Sequence, residues 1–165
     1  MRSVLEGFYS NLHEIEAPGT LDGGDICQAG NHFFIGLSER TNEAGAKQLA
    51  SLLTSIGFTS GLVDIRGIEG LLHLKSGLAY LGDNRLVVTE TLAHRAEFAG
   101  YDLIQLDADE EYASNCVSVN DYVLIAAGHP KLEARLLDLA YQTILLEMSE
   151  FQKMDGGVSC LSLRF

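Results

Sequence analysis

Residues 23–65 read GGDICQAGNHFFIGLSERTNEAGAKQLASLLTSIGFTSGLVDI, and their apolar period changes twice. Ile26 and Gln28 lead into the polar turn Gly30-Asn31-His32, and Phe33, Phe34 and Ile35 follow it. An apolar run on each side of a Gly-Asn step predicts a hairpin. Thr41 or Asn42 then offers a helix cap. Leu49, Leu52, Leu53 and Ile56 recur at helical spacing, and Gly57 supplies a stop. The segment SGLVDI (60–65) closes the unit as a strand.

The same order returns twice. SGLAYLGDNRLVVTE (76–90) reads as a hairpin, TLAHRAEFAG (91–100) as a short helix stopped by Gly100, and YDLIQLD (101–107) as a strand. SNCVSVNDYVLIAAG (114–128) turns at Asn120-Asp121. HPKLEARLLDLA (129–140) is a helix with Pro130 in its first turn, and QTILLEM (142–148) a strand. A short helix near SEFQK (149–153) and a last strand over VSCLSLRF (158–165) complete the chain. The hairpin turns fall near residues 31, 83 and 120, too unevenly for a strict solenoid, but the order of elements is kept. Units of this kind bury their apolar faces only against neighbours. The expectation is an α/β fold of about three hairpin–helix–strand modules, forming one domain over residues 1–165.

Composition narrows the function. A formal net charge of −12 repels phosphate backbones, which argues against nucleic acid as a partner. Cys27, Cys116 and Cys160 are odd in number and far apart, which argues against a disulfide scaffold and a zinc ribbon. Free thiols fit a reducing compartment, so a cytoplasmic location is expected. No apolar run reaches the ~20 residues of a membrane span. No metal and no cofactor is expected.

Four residues invite a chemical reading beside a structural one. Cys160, in MDGGVSCLS (154–162), follows two glycines that let backbone approach a ligand closely; it is a nucleophile if its thiolate is favoured, or a small core residue. His73, in LLHLKSG at the head of an expected strand, is a general acid and base near neutral pH, or a satisfied core residue. In TLDGGD, Asp22 and Asp25 flank two glycines; either the segment is an Asx turn, or one carboxylate orients a histidine. Arg40, between a strand and a helix start, is a solvated charge or a bidentate clamp for a carboxylate. His13, His32, His94 and His129 read as turn or surface residues.

Taken together, TLDGGDICQ, FFIGLSERTNEAG, LLHLKSG, ASNCVSVND and MDGGVSCLS resemble the dimethylarginine dimethylaminohydrolase family of the guanidino-group modifying superfamily, in order and spacing, over nearly the whole chain. The resemblance implies Cys160 as the nucleophile on the guanidinium carbon. It implies His73 as the residue that protonates the departing methylamine and then activates water, and Asp22 as the carboxylate orienting it. Arg40 would grip the α-carboxylate of the substrate. The implied substrate is a methylated arginine, converted through a covalent thiouronium intermediate to citrulline. Arginine deiminases and amidinotransferases usually carry Asp two positions after the His, where this chain has Lys75.

The family fold is a five-module α/β propeller (the pentein fold), whereas three modules are read here. The early family segment F-P-D-x-x-F-x-E-D, which supplies acids for the guanidinium, is absent. The expectation is therefore a partial propeller matching the C-terminal two-thirds of the family. It would self-associate or be completed by a missing N-terminal segment, and turn over weakly or not at all alone. The alternatives are a non-catalytic module binding a ligand or partner, and deiminase-like or amidinotransferase activity.

Overall fold

In a computed structural model of the chain, which describes residues 2–162, the three units form three separate three-stranded sheets. A short helix α1 (Arg2–Leu5) precedes them. The first unit contains β1 (Ile26–Ala29), β2 (His32–Leu37), α2 (Glu43–Ser55) and β3 (Thr59–Asp64). The second contains β4 (Leu78–Gly82), β5 (Arg85–Val88), α3 (Glu90–Ala93) and β6 (Asp102–Gln105). The third contains β7 (Val117–Val119), β8 (Tyr122–Ala126), α4 (Pro130–Asp138) and β9 (Gln142–Leu146), with α5 (Ser149–Gln152) after it. In each sheet the hairpin pair is antiparallel and the third strand joins parallel to the second. The helix supplies the crossover that a parallel strand requires.

Turn chemistry fixes the hairpins. Asp83 and Asn84 both have positive φ, 48° and 61°, the pairing that a two-residue hairpin turn requires. In the Asn120-Asp121 turn of the third unit, Asn120 alone has positive φ (52°), at the first position. Asn42 caps α2, its side chain accepting the Gly45 N–H at 2.8 Å.

The cores show how the units stack. Ile35 and Leu37 face the first unit's own helix, against Ala46 and Leu53. Cys27, Phe34 and Val63 face the other way and pack with Leu78, Leu86, Leu92 and Phe98 of the second unit. The second sheet repeats the device: Ala79, Leu81 and Val87 pack on Cys116, Val123, Ile125 and Leu132 of the third. The first two sheets therefore bury their far faces under the next unit, as blades do in a propeller. The third sheet has no next blade among the described residues. Val117 and Ala126 pack under Met148 and Val158 instead, while Val119, Tyr122 and Ile144 stand exposed.

Four expectations need correction. The helix expected over 91–100 is one turn of α3 followed by a 3-10 turn (Ala96–Phe98), because Leu92 and Phe98 are both fully buried and the chain bends between them to bury both. Leu52 and Ile56 do not belong to the core stripe of α2; Ala46, Leu49, Ala50 and Leu53 do, and Ile56 is exposed where the chain leaves the helix. His73 does not head a strand but precedes a 3-10 turn (Leu74–Ser76). The strand expected over 158–165 is a 3-10 turn at Ser159–Leu161, since Cys160 N–H bonds Gly157 O and Ser162 N–H bonds Ser159 O in place of a ladder. The rest of that expected strand, 163–165, lies outside the described residues.

Candidate active site

Asp22, Arg40, His73 and Cys160 all line one cleft of about 370 Å³, together with Gly24, Lys75, Asn115 and Ser159. Residues 138 positions apart in sequence thus share one wall, and the cleft's chemistry is built from the ends of the three blades.

The imidazole is held on three sides. Its face lies on the backbone of Gly24, where an added Cβ would stand 2.6 Å from His73 Cγ. Its Nδ1 points to two carboxylates, 3.7 Å from Asp25 Oδ1 and 3.9 Å from Asp22 Oδ1. Its Nε2 accepts from the Arg40 guanidinium at 3.3 Å. Arginine has donors only, so this contact makes Nε2 the acceptor and places the proton on Nδ1, facing the acids. The His73 side chain is 13% exposed.

The two acids differ. Asp25 is fully buried and accepts from Ser38 Oγ (2.7 Å), Thr41 Oγ1 (2.6 Å) and Leu74 N–H (3.1 Å). It ties the start of β1, the loop after β2 and the His73 turn to one point. Asp22 caps the 3-10 turn Gly23–Asp25 through Gly24 N–H (2.8 Å), and its backbone N–H donates to Thr41 Oγ1. Its side chain is 36% exposed, and Arg40 Nη1 lies 3.9 Å from its Oδ2. Sequence reasoning selected Asp22 and left Asp25 as a turn residue. The signal for Asp25 was present in the doubled acid of TLDGGD, but its partners Ser38, Thr41 and Leu74 are remote in sequence.

Cys160 is exposed to the cleft, while Cys27 and Cys116 are buried. Burial pushes the Cys27 thiol up to about 11 and the Cys116 thiol up to about 12, so both stay protonated at neutral pH. Asn115, which sequence reasoning gave no role, accepts the Ser159 N–H at 2.7 Å and places its amide nitrogen 3.7 Å from Cys160 Sγ. No group of three metal-ligating side chains converges among the described residues. No helix among them is long and apolar enough to cross a membrane.

A thiol open to solvent, an imidazole facing two acids and an arginine in one cleft suit nucleophilic attack on an electrophilic carbon with proton transfer to a leaving amine. Known proteins carry the same framework. The chain is 41% identical to a dimethylarginine dimethylaminohydrolase of Pseudomonas aeruginosa, over all of this chain and 64% of that protein. It is 33% identical to one of Streptomyces coelicolor, over 89% of this chain and 55% of that one. The solved structure of a cysteine-to-serine variant of the Pseudomonas aeruginosa protein complexed with citrulline superposes with a TM-score of 0.93, over 99% of this chain and 64% of that chain. The chain therefore spans less than two-thirds of the length of the relatives it matches. No protein-family model matches it.

Proposed function

We propose, from the premise that this chain is homologous to dimethylarginine dimethylaminohydrolase along its whole length, that its cleft carries the nucleophilic part of a dimethylargininase-type site. The observation that carries this reading is the meeting of Cys160, His73, Arg40 and Asp22 in one cleft, with Asp25 buried beside the imidazole.

In this reading the Cys160 thiolate attacks the guanidinium carbon of a methylated arginine and a C–S bond forms. The C–N bond to the methylated amine breaks as the protonated His73 gives that nitrogen a proton. His73 then takes a proton from water, whose oxygen attacks the same carbon. The C–S bond breaks, citrulline leaves and the thiolate returns. Asp22 orients the imidazole and steadies its charged form, with Asp25 behind it as a fixed anchor. Arg40 binds the α-carboxylate of the amino acid. Citrulline bound to the Pseudomonas aeruginosa relative fits a product of this class.

A guanidinium in a dry pocket needs carboxylate partners, since an unpaired buried charge costs several kcal/mol. The family acids that serve this purpose have no counterpart in this sequence. The chain alone therefore turns over weakly or not at all, and a complementing segment or a second copy covers the open face of the third sheet. That exposed face also favours a second reading, a partner-binding module that keeps the thiol without turnover. The three blades act as one domain, and three unpaired thiols fit a reducing compartment such as the cytoplasm.

The test is mass spectrometry after treatment with a haloacetamidine, an electrophile that mimics the guanidinium. A single adduct at Cys160, lost in His73→Ala, supports the reading. Equal labelling of Cys27, Cys116 and Cys160 in the folded chain overturns it.

A further inference from the structure

Asn115 ends the 3-10 segment Ala108–Ser114 and is buried beside the loop that carries the thiol. Three contacts fasten that loop to it and to its neighbours, and a fourth ties the same segment to the turn after His73. Asn115 Oδ1 accepts the Ser159 N–H at 2.7 Å. Gly157 packs flat against the carboxamide, so that a Cβ there would stand 2.4 Å from Asn115 Cγ. Tyr112 donates to Gly156 O at 2.6 Å. On the other side, Ser114 Oγ donates to Ser76 O at 2.7 Å, in the turn that follows His73.

The amide orientation follows from hydrogen-bond polarity. A backbone N–H only donates, so the atom that meets Ser159 is the carbonyl oxygen. The NH₂ group must then face Cys160 Sγ, 3.7 Å away. A donor aimed at sulfur favours the anion over the thiol, as hydrogen bonds to a charged form do in general.

We propose that Asn115 is the positioning residue of the nucleophile: its oxygen clamps the loop through Ser159, and its amide N–H groups stabilise the Cys160 thiolate. This rests on the reading of Cys160 as the nucleophile and adds to it a residue acting on the sulfur itself. Asparagine suits both tasks because one planar group presents an acceptor and a donor to two consecutive residues. Aspartate keeps the acceptor for Ser159 and replaces the donor by a negative charge.

The experiment measures the pH–rate profile of Cys160 alkylation by iodoacetamide in the full chain, read by mass spectrometry, with a thermal melt for each variant. Asn115→Asp is expected to alkylate about tenfold more slowly at pH 7, with its profile moved to higher pH, the effect of about one pKa unit. Asn115→Ser, which removes the amide without adding charge, is expected to slow the reaction severalfold, and it decides the matter if the Asp variant does not fold. A folded variant of either kind whose profile superimposes on the parent's overturns the proposal. Iodoacetamide does not resemble an arginine, so this result is separate from the haloacetamidine test: loss of His73-dependent adduction there would leave the Asn115 effect here intact.

Discussion

Gly24 lies flat against the His73 ring, so close that a methyl group on it would stand 2.6 Å from Cγ and 2.8 Å from Nδ1. The ring is held between this backbone, the Arg40 guanidinium at Nε2 and the carboxylates at Nδ1. The glycine is thus a wall of the site as well as a turn residue.

Gly24→Ala is expected to push the imidazole from its place. Overpacking of this kind costs about 1–3 kcal/mol. The Cys160 adduct with a haloacetamidine should fall toward the His73→Ala level, with a lower urea midpoint. Both are read from one preparation by mass spectrometry and circular dichroism.

Asp22 and Asp25 separate by substitution. Asp25→Ala leaves three donors without their acceptor, those of Ser38, Thr41 and Leu74, and should lower stability by about 3 kcal/mol or more in urea unfolding. Asp22→Asn keeps the side-chain oxygen that accepts from Gly24 and should shift the urea midpoint little, while His73-dependent labelling of Cys160 drops. Equal destabilisation by both would show that the acids share one structural task.

The two acids also show what the sequence held. The hairpins were legible because their turns use Gly, Asn and Asp where positive φ is required, at Gly30, Asp83, Asn84 and Asn120. Crossover helices α2 and α4 were legible from a cap residue and a proline in the first turn. The segments that build the cleft were not, since Gly23–Asp25, Leu74–Ser76, Ala108–Ser114 and Ser159–Leu161 are 3-10 turns without an apolar period. Their shape is set by bonds across the fold, Asp25 to Leu74 and Asn115 to Ser159, that no local pattern announces. The resemblance to a family supplied His73 and Cys160 where spacing alone left each open.

His32 gives stability a pH dependence. Burial holds its pKa below the ordinary value, and Nδ1 is bonded to Thr59 Oγ1 at 2.8 Å. Below about pH 6.5 the unfolded chain therefore binds more protons than the folded one, and stability falls as pH drops through the window between the two values. It is fully present above that window. Urea midpoints measured from pH 7.5 to 5 should decline, and His32→Gln should flatten the part of the decline nearest pH 6.

The open face of the third sheet should drive association. Val119, Tyr122 and Ile144 are exposed on the face that the first two sheets bury under a following blade. Light scattering over a concentration series should show mass above the 17.9 kDa of one chain. Ile144→Lys places a charge in that face and should return the chain toward the monomer with little change in melting temperature. A parent that stays monomeric at every concentration would remove the association from this account.

The cleft draws its members in chain order from Asp22, Arg40, His73, Asn115 and Cys160, one or two from each blade and the sulfur after the last. During synthesis the acids and the imidazole emerge well before the thiol that they serve. A nascent chain holding only the first two blades therefore carries the acids and the imidazole without the sulfur, and a cut after the third sheet removes Cys160 while sparing every strand of the three sheets.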